Sequence, residues 1–297
     1  MVSKETRAAT LRVNVAALQQ EGTLMTQRKF TVLTIVGLLA VAVTDAARSG
    51  ALVFGFDASN FTSPTTLTND YWGLRLGGPV SAVYFSAADD GCEVSESVVS
   101  GTTGSGFFTE PFNIDALVVR DREWVDEHCS GEYILVEDTL DWYAQDNDGN
   151  VWYLGEDTTA WDDAANCLTD AGSWKAGDDG AVPGVLMLSH PRPGLSYQQE
   201  YYEGEAEDWA KILRLGARVS IDLGDYPGCL MTKEYTPLSP GEIEHKFYCR
   251  LSQGGSGLML VNELKGKTRR VEYIGTTLPE GEFPDEFPVP SDELCRE

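Results

Sequence analysis

From Tyr71 onward the chain alternates short apolar runs with turn residues. Val80–Phe85, Ala116–Arg120, Tyr133–Val136, Leu140–Gln145, Val151–Gly155 and Val185–Leu188 read as strands. Arg218–Leu223, Cys229–Tyr235, Glu244–Cys249, Leu258–Leu264 and Arg270–Ile274 continue the series. Runs of this length between Gly, Pro, Asn and Asp clusters predict an all-β chain. The expected fold is mainly β: an antiparallel, open or half-closed barrel with little helix. Asp89-Asp90-Gly91 reads as a turn, and the Ser/Thr/Gly-rich stretch Ser95–Gly106 as a loop. Gly204–Leu215, "GEAEDWAKILRL", is the best helix candidate, with acids early and Lys211 and Arg214 late, as the helix dipole favours.

The ends of the chain break this rhythm. Met25–Lys29 is a polar, basic stretch, and Phe30–Val43 is an apolar run closed by small residues. That is the grammar of a secretory signal peptide. Residues 1–46 therefore read as a leader, with the signal in 25–46, and residues 47–70 as a polar lead-in. A single β domain is expected over 71–276. Residues 277–297 form an acidic tail with four prolines, a composition that excludes a regular element. No run reaches the roughly 18 apolar residues of a membrane span.

Charge narrows the partners. The chain has a formal net charge of -25. Setting aside the five basic and three acidic residues of 1–46 leaves 17 basic and 44 acidic, a net -27. Such a surface repels nucleic acid and anionic membranes and attracts cations. The six cysteines, Cys92, Cys129, Cys167, Cys229, Cys249 and Cys295, all follow the leader. An even number in a secreted chain implies three disulfides, with 15 pairings open. No Cys-x-x-Cys occurs. Asn60-Phe61-Thr62 is the one N-glycosylation sequon, so the expected product is a secreted, disulfide-bonded, acidic glycoprotein.

The most distinctive stretch is Asp138–Asp163, "DTLDWYAQDNDGNVWYLGEDTTAWDD". Asp146, Asp148 and Asn150 offer oxygens at alternate positions, as a calcium loop would. The glycine nevertheless falls at the fourth position rather than the sixth, and Trp152 occupies the seventh. Asp148-Gly149 between two strand-like segments is the signature of a tight hairpin. A hairpin tip without metal is the preferred reading, with a weak calcium site at these three residues as the alternative; no other cofactor is expected. Trp142 and Tyr143 should point to opposite faces of their strand, one toward the core and one toward solvent or a groove.

This stretch, together with "AGSWKAGDDGAVPGVLM", "YQQEYYEGEAEDWA" and "CLMTKEYTPLSPGEIEHKFYCR", resembles a family of secreted and lipoprotein-type bacterial domains of unknown function. The resemblance covers roughly Val118–Tyr273 and implies no activity. Its ending is similar to that of periplasmic proteins whose curved antiparallel sheet wraps a helix or cradles an apolar ligand.

Candidate chemistry is sparse. His128, His190 and His245 lack zinc-ligand spacing. Glu244, His245 and Glu200 are the candidate catalytic residues, because paired carboxylates with an imidazole can do acid and base work. No nucleophile elbow, zincin, dinucleotide or phosphate-loop motif occurs. The sequence therefore points first to an extracellular binding or structural protein whose partner is a small apolar ligand, a glycan or a divalent cation. A secreted hydrolase or lyase using carboxylates with His245 is the alternative, and the sequence does not decide whether the protein is an enzyme.

Overall fold

The computed structural model describes residues 51–52, 55–74, 76, 81–88, 91–250, 255–264, 269–289 and 294–295. The leader lies outside these. The first strands are β1 (Ala51–Leu52), β2 (Trp72–Gly73), β3 (Ser81–Ala88), β4 (Gly91–Thr102), β5 (Leu117–Asp126) and β6 (Ile134–Gln145). Then come β7 (Val151–Asp162), β8 (Cys167–Thr169), β9 (Trp174–Lys175), β10 (Gly184–Met187) and β11 (Ser196–Gln198). The last are β12 (Trp209–Ile221), β13 (Gly224–Tyr235), β14 (Glu244–Tyr248), β15 (Gly255–Ser256), β16 (Leu258–Glu263) and β17 (Arg269–Gly275). The only helical element among the described residues is a 3-10 turn at Ala58–Asn60. The mainly antiparallel β fold expected from the sequence is what forms.

One sheet runs β1-β11-β12-β13-β14-β16-β17-β3-β4-β5-β6-β7-β10, with β8 and β9 also paired to β7. Its ladders are antiparallel except that of β1 with β11. The sheet curls until its outer parts meet without a continuous ladder. Val182 N–H donates to the Tyr201 carbonyl at 2.9 Å, and the Tyr197 hydroxyl and Gln199 amide reach the Leu186 carbonyl at 3.4 Å. The approach is close enough that a Cβ on Gly184 would lie 2.0 Å from the Gln199 carbonyl oxygen. The result is a half-closed barrel.

Two expectations are corrected. The helix candidate Gly204–Leu215 is a turn followed by the start of β12, where Ala210 and Ile212 are buried and Lys211 is exposed. Period-two burial and a long ladder with β13 override helix propensity there. The loop expected at Ser95–Gly106 begins only after Thr102, and the part from Ser95 to Thr102 belongs to β4. Its serines belong in a strand because both of its faces meet polar groups.

The apolar core fills one end of the barrel, around Leu67, Phe108, Leu117, Trp142, Tyr143 and Ile212. The lead-in is part of it: Leu67 is buried, and Phe56 packs edge-on against Trp152 at 5.2 Å. A second cluster on the outer face joins Trp124, Leu135 and Tyr133 to Phe283 and Phe287 of the tail. The tail lies along this face, with Phe283 stacked on Tyr133 at 4.5 Å and the Pro284 carbonyl accepting from Trp124 Nε1 at 2.8 Å. The disulfides are Cys92–Cys129, Cys167–Cys295 and Cys229–Cys249. The second of these pins the tail to β8.

Candidate functional site

Directly paired residues of an antiparallel ladder share a face, so register alone identifies what points into the barrel. Across β4, β5, β6 and β7 the inward rows are Val99, Val119, Asp141 and Glu156, then Ser97, Asp121, Thr139 and Thr158, then Ser95, Glu123, Glu137 and Ala160. The opposite wall repeats the chemistry, with Glu234, Glu244, Glu263 and Arg269 in one row of β13, β14, β16 and β17. Lys246 lies two residues further along β14, on the same face as Glu244. These walls are thus rich in acids, with Lys246 and Arg269 as their bases among the described residues and an apolar patch at Tyr84, Val261 and Val271.

These groups bond to one another. The Tyr153 hydroxyl is shared between Asp141, at a short distance, and Glu156 Oε2 at 3.0 Å. Glu234 accepts from Tyr248 at 2.9 Å and Thr232 at 2.8 Å, and pairs with Lys246 at 3.0 Å. Lys246 also pairs with Glu244 at 3.1 Å. Ser97 donates to Asp121 at 2.9 Å, and Arg269 pairs with Glu93.

The electrostatics follow from burial. Desolvation, then like charges nearby, push Asp121, Glu123, Asp141 and Glu200 well above the usual carboxylate range. Burial also raises Glu137 and Asp208. Glu263 is pushed up to about 7 and Glu156 to about 8, burial being the main cause in both. Burial works against the charge of Lys246, but Glu234 and Glu244 outweigh it and raise its pKa. Its charge is felt at Asp121 on β5 and at Glu200, so it acts across the interior. Asp121, Glu123, Glu137, Glu156 and Glu263 keep partial exposure despite this desolvation. That combination belongs to an interior that water reaches, not to an outer surface.

Glu156 is also where the interior meets a groove of about 290 Å³, lined by Trp142, Glu156, Asp157, Ser173, Trp174, Lys175, Asp178, Asp179, Ala181 and Tyr202. Gly155 makes this geometry available. Its φ is +136°, and a Cβ there would lie 2.3 Å from the Trp174 carbonyl oxygen and 3.0 Å from the Trp142 ring. Only glycine lets β9 pass this close. Trp174 is thereby seated edge-on against Tyr153 at 5.4 Å. The Trp174 indole N–H is buried with no hydrogen-bond partner. Lys175 is held by Asp178 at 3.7 Å and lies over the Phe107 ring at 4.5 Å.

The residues singled out from sequence separate into two groups. Glu244 and Glu200 belong to the interior. His245 alternates to the other face, where burial first and Lys233 second lower its pKa. Asp146, Asp148 and Asn150 stand at a hairpin tip whose Gly149 has φ +86°. Asp146 accepts from Asn150 N–H at 2.8 Å, Asn150 Nδ2 at 3.0 Å and Trp152 Nε1 at 2.9 Å. Asp148 accepts from Asn60 of the sequon at 3.0 Å, and Asn150 Oδ1 accepts from Ser189 N–H at 3.0 Å. These oxygens are turned to different partners, and no group of three potential metal-binding side chains occurs among the described residues. Asp146→Ala is expected to destabilise the protein by about 2–3 kcal/mol, since it strands donors around a buried carboxylate; urea unfolding checks this, and a loss below about 1 kcal/mol would contradict it.

Sequence reasoning missed Asp121, Glu123, Glu137, Asp141, Glu156 and Lys246. The available signal was the alternation Arg120-Asp121-Arg122-Glu123, a strand charged on both faces. The arginines turn outward, Arg120 to Asp138 and Arg122 to Glu96, and the acids turn inward. No protein-family model, curated protein or solved structure matches the chain, so a functional reading rests on this geometry.

Proposed function

We propose that the protein is an extracellular, non-enzymatic binding protein whose ligand is a small organic cation, an amine, taken in at the groove beside Glu156. The supporting observation is that groove: aromatic walls from Trp142, Trp174 and Tyr202, four carboxylates and one lysine already held by Asp178. Aromatic and acidic groups together suit an ammonium ion. An apolar ligand would bury these carboxylates without partners, which is costly. The three disulfides fit an oxidising compartment, in keeping with the signal-like segment at 25–46.

A calorimetric titration with n-butylamine, against n-butanol at matched ionic strength, tests this. Saturable binding of the amine alone is expected, weakened by Glu156→Gln. Because Glu156 holds its proton up to about pH 8, an arriving ammonium should expel it, and the heat should vary with the buffer's ionisation enthalpy. Equal behaviour of amine and alcohol would refute the reading. A hydrolase is the second reading, favoured by the same protonated Glu156 as a general acid; it requires turnover of a substrate that Glu156→Gln abolishes.

A further inference from the structure

Deep in the barrel, beyond Glu156, lies a second set of groups with unmet hydrogen-bonding capacity. Ser86 is 1% exposed, and its hydroxyl has no hydrogen-bond partner. It is paired directly with Glu93, so it points to the same inner face. Glu93 is neutralised by Arg269. Glu263 is paired directly with Arg269, and Glu123 is paired with Ser95, two residues from Glu93 on the same face of β4, which places both near this level. A buried hydroxyl without a hydrogen-bond partner beside several carboxylates calls for a donor with several N–H groups. An alkylammonium has three N–H donors, matching Ser86 Oγ, Glu123 and Glu263.

The two levels have a fixed spacing. Glu156 is paired with Asp141 and Glu123 with Glu137. Asp141 and Glu137 are four residues apart on β6, about 13 Å at the rise of an extended strand. Between them the inward positions of β5 and β6 are Asp121 and Thr139. We infer that the ligand is a linear diammonium or polyamine, with one ammonium at Glu156 and the second at Ser86, Glu123 and Glu263. This rests on the amine-binding reading above and adds to it the length and valence of the ligand.

The experiment is a calorimetric series of α,ω-diaminoalkanes of increasing length, with n-butylamine as the single-ammonium reference. Affinity is expected to rise with chain length and to peak, at least tenfold above butylamine, only once the two nitrogens can span more than about 13 Å. Ser86→Ala and Glu263→Gln should each remove most of that gain. If all lengths bind like butylamine, the inner site is wrong and the outer one stands. If butylamine itself does not bind, the underlying reading fails instead. Should a variant not fold, the length dependence of the wild-type protein still decides the matter. A long diamine that keeps its full advantage in folded Ser86→Ala and Glu263→Gln proteins would also overturn the proposal.

Discussion

Replacing Cys167 and Cys295 with serine is expected to lower the melting temperature by roughly 10–20 °C. The bridge spans 128 residues, and on the chain-entropy account closing so long a loop is worth about 5 kcal/mol. The loss also has a local component. Without the bridge the tail keeps the backbone bonds of Glu282 to Gly131 and Tyr133, the packing of Phe283 and Phe287, the Pro284 carbonyl on Trp124 and the partly exposed Arg122–Asp285 pair. Detachment would uncover the apolar outer face around Trp124 and Leu135. A red-shifted tryptophan emission and increased dye binding should therefore accompany the lower melting temperature. The same change at Cys229 and Cys249, separated by 20 residues, should cost less, about 3 kcal/mol. A melting temperature within a few degrees of wild type for the first variant would contradict this account.

Stability is expected to fall as pH rises from about 5 to about 8, the reverse of ordinary acid denaturation. The folded-state pKa values of Glu156 and Glu263 stand at about 8 and about 7, above the ordinary value of 4.5. Each such group contributes stability that is fully present below its unfolded pKa and is lost as pH climbs through its folded pKa. Asp121, Glu123, Glu137, Asp141, Glu200 and Asp208 act in the same direction. Each carboxyl that keeps its proton only in the folded state adds about 1.4 kcal/mol per pH unit to the slope. Lys246 works on the alkaline side, its contribution fading only above its ordinary value of 10.5. Asp126, lowered by bonds from His128, Gly131 and Ser130 that outweigh its burial, is lost only at acidic pH. Chemical denaturation at pH 5, 6.5 and 8 measures the slope, and Glu156→Gln should flatten it near pH 8. A stability that rises with pH would show that the interior acids are ionised and solvated.

The strand rhythm was legible because turn residues punctuate it. The hairpin at Asp148-Gly149 was legible because positive φ demands glycine. The interior was not, and the reason is physical. Sequence patterning assumes that inward positions are apolar, and here β5 and β6 turn Asp121, Glu123, Glu137 and Asp141 inward. The Ser-rich β4 looked like a loop for the same reason, since Ser95 and Ser97 face acids. Glu244 and Glu200 were found as acids close to other acids, whereas His245 was grouped with Glu244 by adjacency, which in a strand separates side chains instead of joining them. The helix read at Gly204–Leu215 failed because the ladder with β13 outweighs local propensity.

The meeting of the sheet's outer parts has a consequence for the company the protein keeps. A curled sheet with strands of 12 and 13 residues would be a template for adding foreign strands if a long border were left bare. Here the strands at the ends of its path are β1, of two residues, and β10, of four, and just before β10 Val182 already bonds to Tyr201. β12 is the exception: β11 pairs only with Trp209–Lys211 of its 13 residues, so the stretch toward Ile221 has no strand ladder on that side among the described residues. Strand addition by a second copy would start at that edge, and the chain's net charge of -25 opposes the approach of like chains.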